Sequence, residues 1–287
     1  MKTTCFKKIG LLVLFLVLAL VTMFPVNAAA KKSGKWMKRD GGLCYIQKNG
    51  KIATGSCKIN GTYYIFDESG KLIRPKKSRL VTVQKKIYYV NKKGRAVRGW
   101  FTQKNKLYYA NKNGSVKRNT TYKGITLLKS GAAKKDTASK LKILTMQIIK
   151  EITTNKMTKD EKLRKCWNYM TGGSFRYMGK YPNFGKKGWQ RETAYNMLTT
   201  HSGNCYSYAC AFAALADEVG YKSYVICGRV PGNRDGSGDG YTRHAWVRIN
   251  GCYYDPEAHY AGWARGIYGY GAYPMGHSVQ SDVRFSS

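Results

Sequence analysis

Between residues 44 and 133 one pattern returns five times, and short units that cannot bury an apolar face alone must be stacked on one another. The segments CYIQKNGKIATG, YYIFDESGKLIRP, YYVNKKGRAVRG and YYANKNGSVKRN each set an aromatic pair or its remnant before a polar turn ending in glycine, then a second short strand-like run. A degenerate fifth copy, ITLLKSGAA, closes the series. The turn glycines are Gly50, Gly70, Gly94, Gly114 and Gly131, spaced by 20, 24, 20 and 17 residues. That spacing suits one β-hairpin per unit, each marginal alone and stable when neighbours share an aromatic face. The expectation is a solenoid-like hairpin domain over residues 31–136.

This part of the chain is a polycation. Residues 31–140 hold 29 Lys or Arg against 4 Asp or Glu, whereas residues 141–287 hold 19 against 11. Rows of Lys and Arg attract phosphate-rich chains without reading their sequence. The units, above all RGWFTQKNKLYYANKNGSVKRN from Arg98 to Asn119, resemble the choline-binding or cell-wall-binding repeats of Gram-positive surface proteins. Choline-holding members build an aromatic cage, and of its residues only Trp100 stands at the matching place. The charge turns the expectation toward anionic wall polymers, with Trp100, Tyr88, Tyr89, Tyr108 and Tyr109 as binding candidates.

The first 30 residues read as a secretory signal peptide: a basic start, MKTTCFKKIG, an apolar run, LLVLFLVLALVTMF, and a small-residue end, PVNAAA. The run is shorter than the ~20 residues that a membrane span needs, so the expectation is export with no transmembrane anchor. Export also makes nucleic acid an unsuitable partner for the positive charge. Seven cysteines follow the leader, an odd number that leaves at least one thiol free or bridged to another chain. No C-x-x-C and no H-E-x-x-H occurs, so neither a metal nor another cofactor is expected.

From residue 137 the pattern changes. Leu141, Leu144, Ile148 and Ile152 fall at helical spacing, and a second helix is expected over residues 158–170, with Thr158 and Glu161 in the capping-box pattern. In HSGNCYSYACAFAALADEVGY, the residues Phe212, Ala213, Ala216 and Val219 form one apolar stripe and Gly220 supplies a stop. Asn204 suits the N-cap, which puts Cys205 in the first turn. There unpaired backbone N–H groups and the helix dipole favour a thiolate, although a free cysteine is also an ordinary packing residue. Downstream, RHAWVRINGCYYDPEAHY contains two strand-like runs, residues 244–249 and 252–255, around the hairpin signal Asn250-Gly251. Counting back from that turn sets Trp246 opposite Asp255, so His244, two residues earlier on the same face, is a diagonal neighbour of Asp255 within reach of its carboxylate.

The three stretches GNCYSYACAFAALADEVGY, RHAWVRI and YYDPE, in this order, resemble the transglutaminase-like superfamily of papain-type fold over roughly residues 138–260. The resemblance implies an α+β domain over residues 137–287, with Cys205 as nucleophile, His244 as general base and acid, and Asp255 as the orienting carboxylate. It also implies an oxyanion hole built from the Cys205 N–H and one upstream donor, for which Trp189 and Gln190 are candidates. The expected function is acyl transfer on a peptide or carboxamide by a secreted, wall-associated thiol enzyme, with water or an amine as acceptor. The rival is a non-catalytic wall-binding or adhesion protein whose papain-like domain only holds peptide.

Overall fold

The structure, a computed structural model, describes residues 34–263 and 266–285; the expected signal peptide lies outside them. The repeats form five two-stranded antiparallel hairpins: β1 (Lys35–Arg39) with β2 (Gly42–Ile46), β3 (Gly55–Ile59) with β4 (Thr62–Phe66), β5 (Arg79–Val83) with β6 (Lys86–Val90), β7 (Gly99–Gln103) with β8 (Lys106–Ala110), and β9 (Thr120–Tyr122) with β10 (Ile125–Leu127). Each closes on a two-residue turn with both φ positive: Asp40-Gly41, Asn60-Gly61, Gln84-Lys85, Lys104-Asn105 and Lys123-Gly124. Such turns match the right-handed twist of the strands.

The glycines that mark the repeat in sequence do a different job from the one expected of them. They do not close the hairpins; Gly50, Gly70, Gly94, Gly114 and Gly131 lie after the aromatic strand, all with φ between +75° and +88°. There they fold the chain back for a single bridge, such as Val90 with Ala96 or Ala110 with Val116. The returning residue then reaches the preceding unit: Leu72 N–H donates to the Leu43 carbonyl, Ala96 to Tyr63, Val116 to Ile87 and Ala133 to Leu107, at 2.7–2.9 Å. The array is thus tied along its axis by backbone bonds as well as by the apolar residues of successive units.

The last hairpins lean on the second domain. Leu107, Ile125 and Leu127, with Trp100, Tyr109 and Tyr122, pack against Ala138, Ile143 and Met146 of α1 (Thr137–Ile152). Asp136 caps that helix by accepting from Ser139 N–H. Helix α2 (Lys159–Thr171) opens on the expected capping box of Thr158 and Glu161. After the two-residue strand β11 (Arg176–Tyr177) come α3 (Trp189–Thr200), β12 (Ser202–Gly203), which pairs in parallel with β11, and α4 (Cys205–Val219), which Gly220 ends in the left-handed conformation.

Five antiparallel strands follow in the order β16 (Ile267–Tyr270), β15 (Cys252–Asp255), β14 (Tyr241–Ile249), β13 (Ser223–Pro231), β17 (Ser278–Arg284), with the short helix α5 (Pro256–Tyr260) after β15. Strand alternation divides the two faces of this sheet. Val225, Cys227, Ala245, Val247 and Ile249 pack with the almost wholly buried α4, which α1, α2 and α3 surround. Ile226, Val230 and Trp246 form a second core with Ala258, Ile267 and Tyr273. The chain is α+β, a hairpin array followed by helices on an antiparallel sheet, and no described helix is long and apolar enough to cross a membrane.

A repeat glycine tests the stacking. A Cβ on Gly114, where φ is +84°, would strike the Cβ of Ala96 in the preceding unit, whereas one on Gly61, where φ is +79°, meets open space. Gly114→Ala should destabilise the array by about 1–3 kcal/mol in urea unfolding, and Gly61→Ala by distinctly less.

Candidate active site

Asp255 ends β15 and caps α5, its Oδ1 accepting the Ala258 N–H at 2.9 Å while Pro256 occupies the first helical position. The Asn250-Gly251 turn, with φ of +50° and +80°, pairs Val247 with Tyr254 and Ile249 with Cys252. That register carries His244 to its diagonal place, with Nε2 2.6 Å from Asp255 Oδ2. Tyr273 donates its hydroxyl to the same oxygen at 2.6 Å. The site is closed to bulk solvent: Asp255 is fully buried and His244 is 1% exposed.

Burial raises the cost of both charges, yet it does not win at either group. Burial would lower the His244 pKa, but the Asp255 charge and hydrogen bond, with a smaller contribution from Cys205, hold it well above the ordinary value. Burial likewise works to raise the Asp255 pKa, and His244, Tyr273 and the Ala258 N–H outweigh it and keep it low. Both directions favour a charged pair, with the proton on His244. Cys205, 3% exposed, is the first residue of α4 behind the Asn204 cap, whose Oδ1 accepts from Ser207 N–H. Its sulfur reaches the Arg243 carbonyl at 4.0 Å, one residue before His244 in β14, and it contributes to the raised His244 pKa. With Nε2 committed to Asp255, the nitrogen left for the thiol is Nδ1.

Two arginine–tyrosine contacts wall this centre. Arg243 lies 4.3 Å from the ring centre of Tyr181, and Arg234 lies 5.0 Å from that of Tyr177 and 4.4 Å from that of Trp263. Arg234 also pairs with Glu257, Nη1 to Oε1 at 2.7 Å. Glu257 is 1% exposed, and its second oxygen, Oε2, lies 3.7 Å from His244 Nδ1 with no hydrogen-bond partner among the described residues. The β13–β14 loop that carries Arg234 contains DGSGDG, and its oxygens converge on the Arg229 guanidinium. That group donates to Ser237 Oγ at 2.7 Å, Asp239 Oδ1 at 2.7 Å and the Tyr241 carbonyl at 2.6 Å.

The upstream oxyanion candidates lie at the start of α3. Trp189 and Gln190 begin α3; the Trp189 N–H donates to the Lys186 carbonyl at 3.0 Å, and the Gln190 amide points to the Phe285 carbonyl at 3.5 Å. The Cys205 N–H sits at the helix start, where amides have no intrahelical acceptor. His244, Asp255 and Glu257 are grouped closely enough to surround a cation. The oxygens of Asp255 and Glu257, however, already accept hydrogen bonds from His244, Tyr273, the Ala258 N–H and Arg234, and Glu257 Oε2 alone is left over. All seven described cysteines are free. Burial pushes the Cys166 thiol up to about 12 and that of Cys227 up to about 11, as befits packing residues.

The aromatic residues of the repeats divide into three groups. Tyr88 and Tyr108 are buried in the array, and Tyr89 stacks on Phe101 at 4.5 Å. Trp100 and Tyr109, 5.1 Å apart, form a cluster with Tyr122, but this cluster packs on α1, and Lys142 of that helix stands 5.6 Å over the indole. The sequence reading overlooked Trp36. It pairs across its hairpin with Tyr45 as Trp100 does with Tyr109, is 38% exposed, and lies 5.1 Å from both Tyr45 and Tyr64. With Leu43, Tyr64, Leu72, Arg74 and Lys93 it lines a cleft of about 290 Å³. Among the described residues no carboxylate pairs with Arg74 or Lys93.

Residues 146–265 match the family model of the transglutaminase-like superfamily, and residues 99–116 match that of the cell wall binding repeat of choline-binding type. Among solved structures the chain is similar to choline binding protein F from Streptococcus pneumoniae, at 27% identity over 35% of this chain and 33% of that one, with a TM-score of 0.28. It is similar to the choline binding domain of Spr1274 in Streptococcus pneumoniae, at 27% identity over 29% of this chain and 96% of that one, TM-score 0.25. It is also similar to the pneumococcal cell wall endolysin from phage Cp-1, at 25% identity over 32% of this chain and 27% of that one, TM-score 0.24. The chain thus spans about a third of choline binding protein F and about a quarter of the endolysin. A comparison with curated proteins finds no match. Residues 146–265, the helices and sheet that hold His244 and Asp255, thus carry a transglutaminase-like match, and residues 99–116 of the hairpin array carry a cell wall binding repeat match.

Proposed function

We propose that the protein is a secreted, wall-associated thiol acyltransferase or hydrolase in which Cys205, His244 and Asp255 act as nucleophile, acid–base and orienter. The observation that carries this reading is the buried 2.6 Å contact of His244 with Asp255 beside a cysteine at a capped helix start. Cys205 attacks a carboxamide or peptide carbonyl and forms a C–S bond; the C–N bond breaks as His244 Nδ1 gives its proton to the departing nitrogen. Water or an amine then returns a proton to His244 as it displaces the thiol. Asp255, also held by Tyr273 and the α5 amide, keeps Nε2 protonated and the ring in place.

The repeats hold this domain at the wall. Their excess positive charge and the cleft of Trp36, Tyr64, Arg74 and Lys93 suit an anionic wall polymer better than a cationic headgroup, since two cations line the opening. Trp100 and Tyr109 serve the junction with α1 instead.

With a mixed peptide library and added primary amine, mass spectrometry should find cleavage, deamidation or crosslinked products that vanish in Cys205→Ala; products that persist would refute the mechanism. Asp255→Asn should lower turnover by about 10⁴ with the fold intact, the loss seen when a serine-protease triad aspartate is so changed. The same change removes the main cause of the raised His244 pKa, so the imidazole, followed by NMR, should lose its proton at lower pH than in the wild type. Binding of the full chain to isolated anionic wall material should weaken as salt rises and in Trp36→Ala. Trp100→Ala should leave binding intact and lower the melting temperature.

A further inference from the structure

Glu257 is not explained by the triad. Its Oε1 is spoken for by Arg234, and an acid in the first turn of α5 suits the helix dipole, but neither fact accounts for Oε2. That atom is buried, has no hydrogen-bond partner among the described residues, and lies 3.7 Å from His244 Nδ1, the ring nitrogen that Asp255 leaves open. A buried acceptor without a donor is costly, and it stays in a fold where something else supplies the donor.

The acyl-transfer chemistry brings such a donor to this place. When an amine leaves or attacks at Cys205, its nitrogen must come within hydrogen-bond distance of His244 Nδ1, because one proton passes between them. A primary amine carries further N–H bonds that need an acceptor in a site this buried. One nitrogen can lie about 3 Å from both Nδ1 and Oε2, since the two atoms are 3.7 Å apart. Resting on the acyl-transfer reading above, we propose that Glu257 Oε2 is the binding site for a primary alkyl amine that resolves the Cys205 thioester. The attacking nitrogen forms the new C–N bond as the C–S bond breaks. One amine proton goes to Nδ1, and a second N–H is held by Oε2 without being transferred. Burial raises the Glu257 pKa against the opposing pull of His244 and Arg234.

The assignment separates amine from water as acceptor, and the experiment reads that choice. The full-length protein is acylated with p-nitrophenyl acetate, whose phenolate leaves without needing an N–H acceptor, and the acetyl group is partitioned between cadaverine and water. Mass spectrometry gives the ratio of N-acetylcadaverine to acetate, and the p-nitrophenolate burst gives the acylation rate. Glu257→Gln keeps an acceptor for Arg234 and should lower the amine-to-water ratio roughly tenfold or more, with the burst unchanged within about twofold. The intact burst shows that the variant has folded with a working Cys205. An unchanged ratio overturns the assignment. So does a burst that collapses together with the ratio, which would make Glu257 a support for His244. A wild-type enzyme that shows the burst yet releases only acetate overturns the amine site and leaves acyl transfer standing. A burst that is absent, or that persists in Cys205→Ala, overturns the acyl-transfer reading itself.

Discussion

A single buried carboxylate holds together elements that are far apart in the chain. Asp255 is the last residue of a strand, the cap of the following helix and the acceptor for both a histidine and a tyrosine. Burying such a charge is tolerable only when nearly every lone pair has a donor, and here a backbone amide, a histidine ring nitrogen and a hydroxyl stand at its oxygens. Tyr273 pays part of the cost: its own pKa is pushed far up by burial and by the carboxylate it serves, so it remains a donor. Trp246 stacks on Tyr273 at 4.3 Å, and the packing of that sheet face therefore fixes the hydrogen bond that fixes His244.

The first domain meets a different problem, that of keeping a strongly cationic chain compact. Few of its charges are paired, so cohesion must come from backbone bonds between units and from aromatic packing. The two tryptophan-bearing hairpins show how one motif is put to two uses. At the far end, Trp36 borders an open cleft; next to the second domain, the equivalent Trp100 is consumed in a junction. Position along the array, rather than the motif itself, decides which aromatic face remains available.

Much of this was legible where short-range chemistry decides the outcome. Asn250-Gly251 fixes a turn, the turn fixes the register, and the register places His244 against Asp255. Asn204 and Gly220 likewise bound the Cys205 helix. Trp36 was within reach too: it precedes Gly50 by 14 residues, as Trp100 precedes Gly114, but its partner strand carries Cys44 where other copies carry tyrosine. Tyr273 gave no such signal, because it arrives from a Gly- and Tyr-rich tail without periodicity and reaches Asp255 only through the tertiary fold. Glu257 reads in sequence as an ordinary helix-start acid, and the edge strand β17 is too polar and exposed to stand out from a loop. The reading of the repeat glycines as hairpin turns failed because Gln84-Lys85 and Lys104-Asn105 adopt positive φ without glycine, so the true turns were less conspicuous than the false ones.

The loop between β13 and β14 carries one consequence of its own. Its side-chain and main-chain oxygens are gathered around the Arg229 guanidinium, so the positive centre that organises the loop is part of the polypeptide. A countercharge attached by covalent bonds cannot be sequestered by a chelator or exchanged as the ionic makeup of the surroundings varies. The countercharge that gathers the loop bearing Arg234 is thus supplied by the polypeptide itself, and it is inherited with the gene.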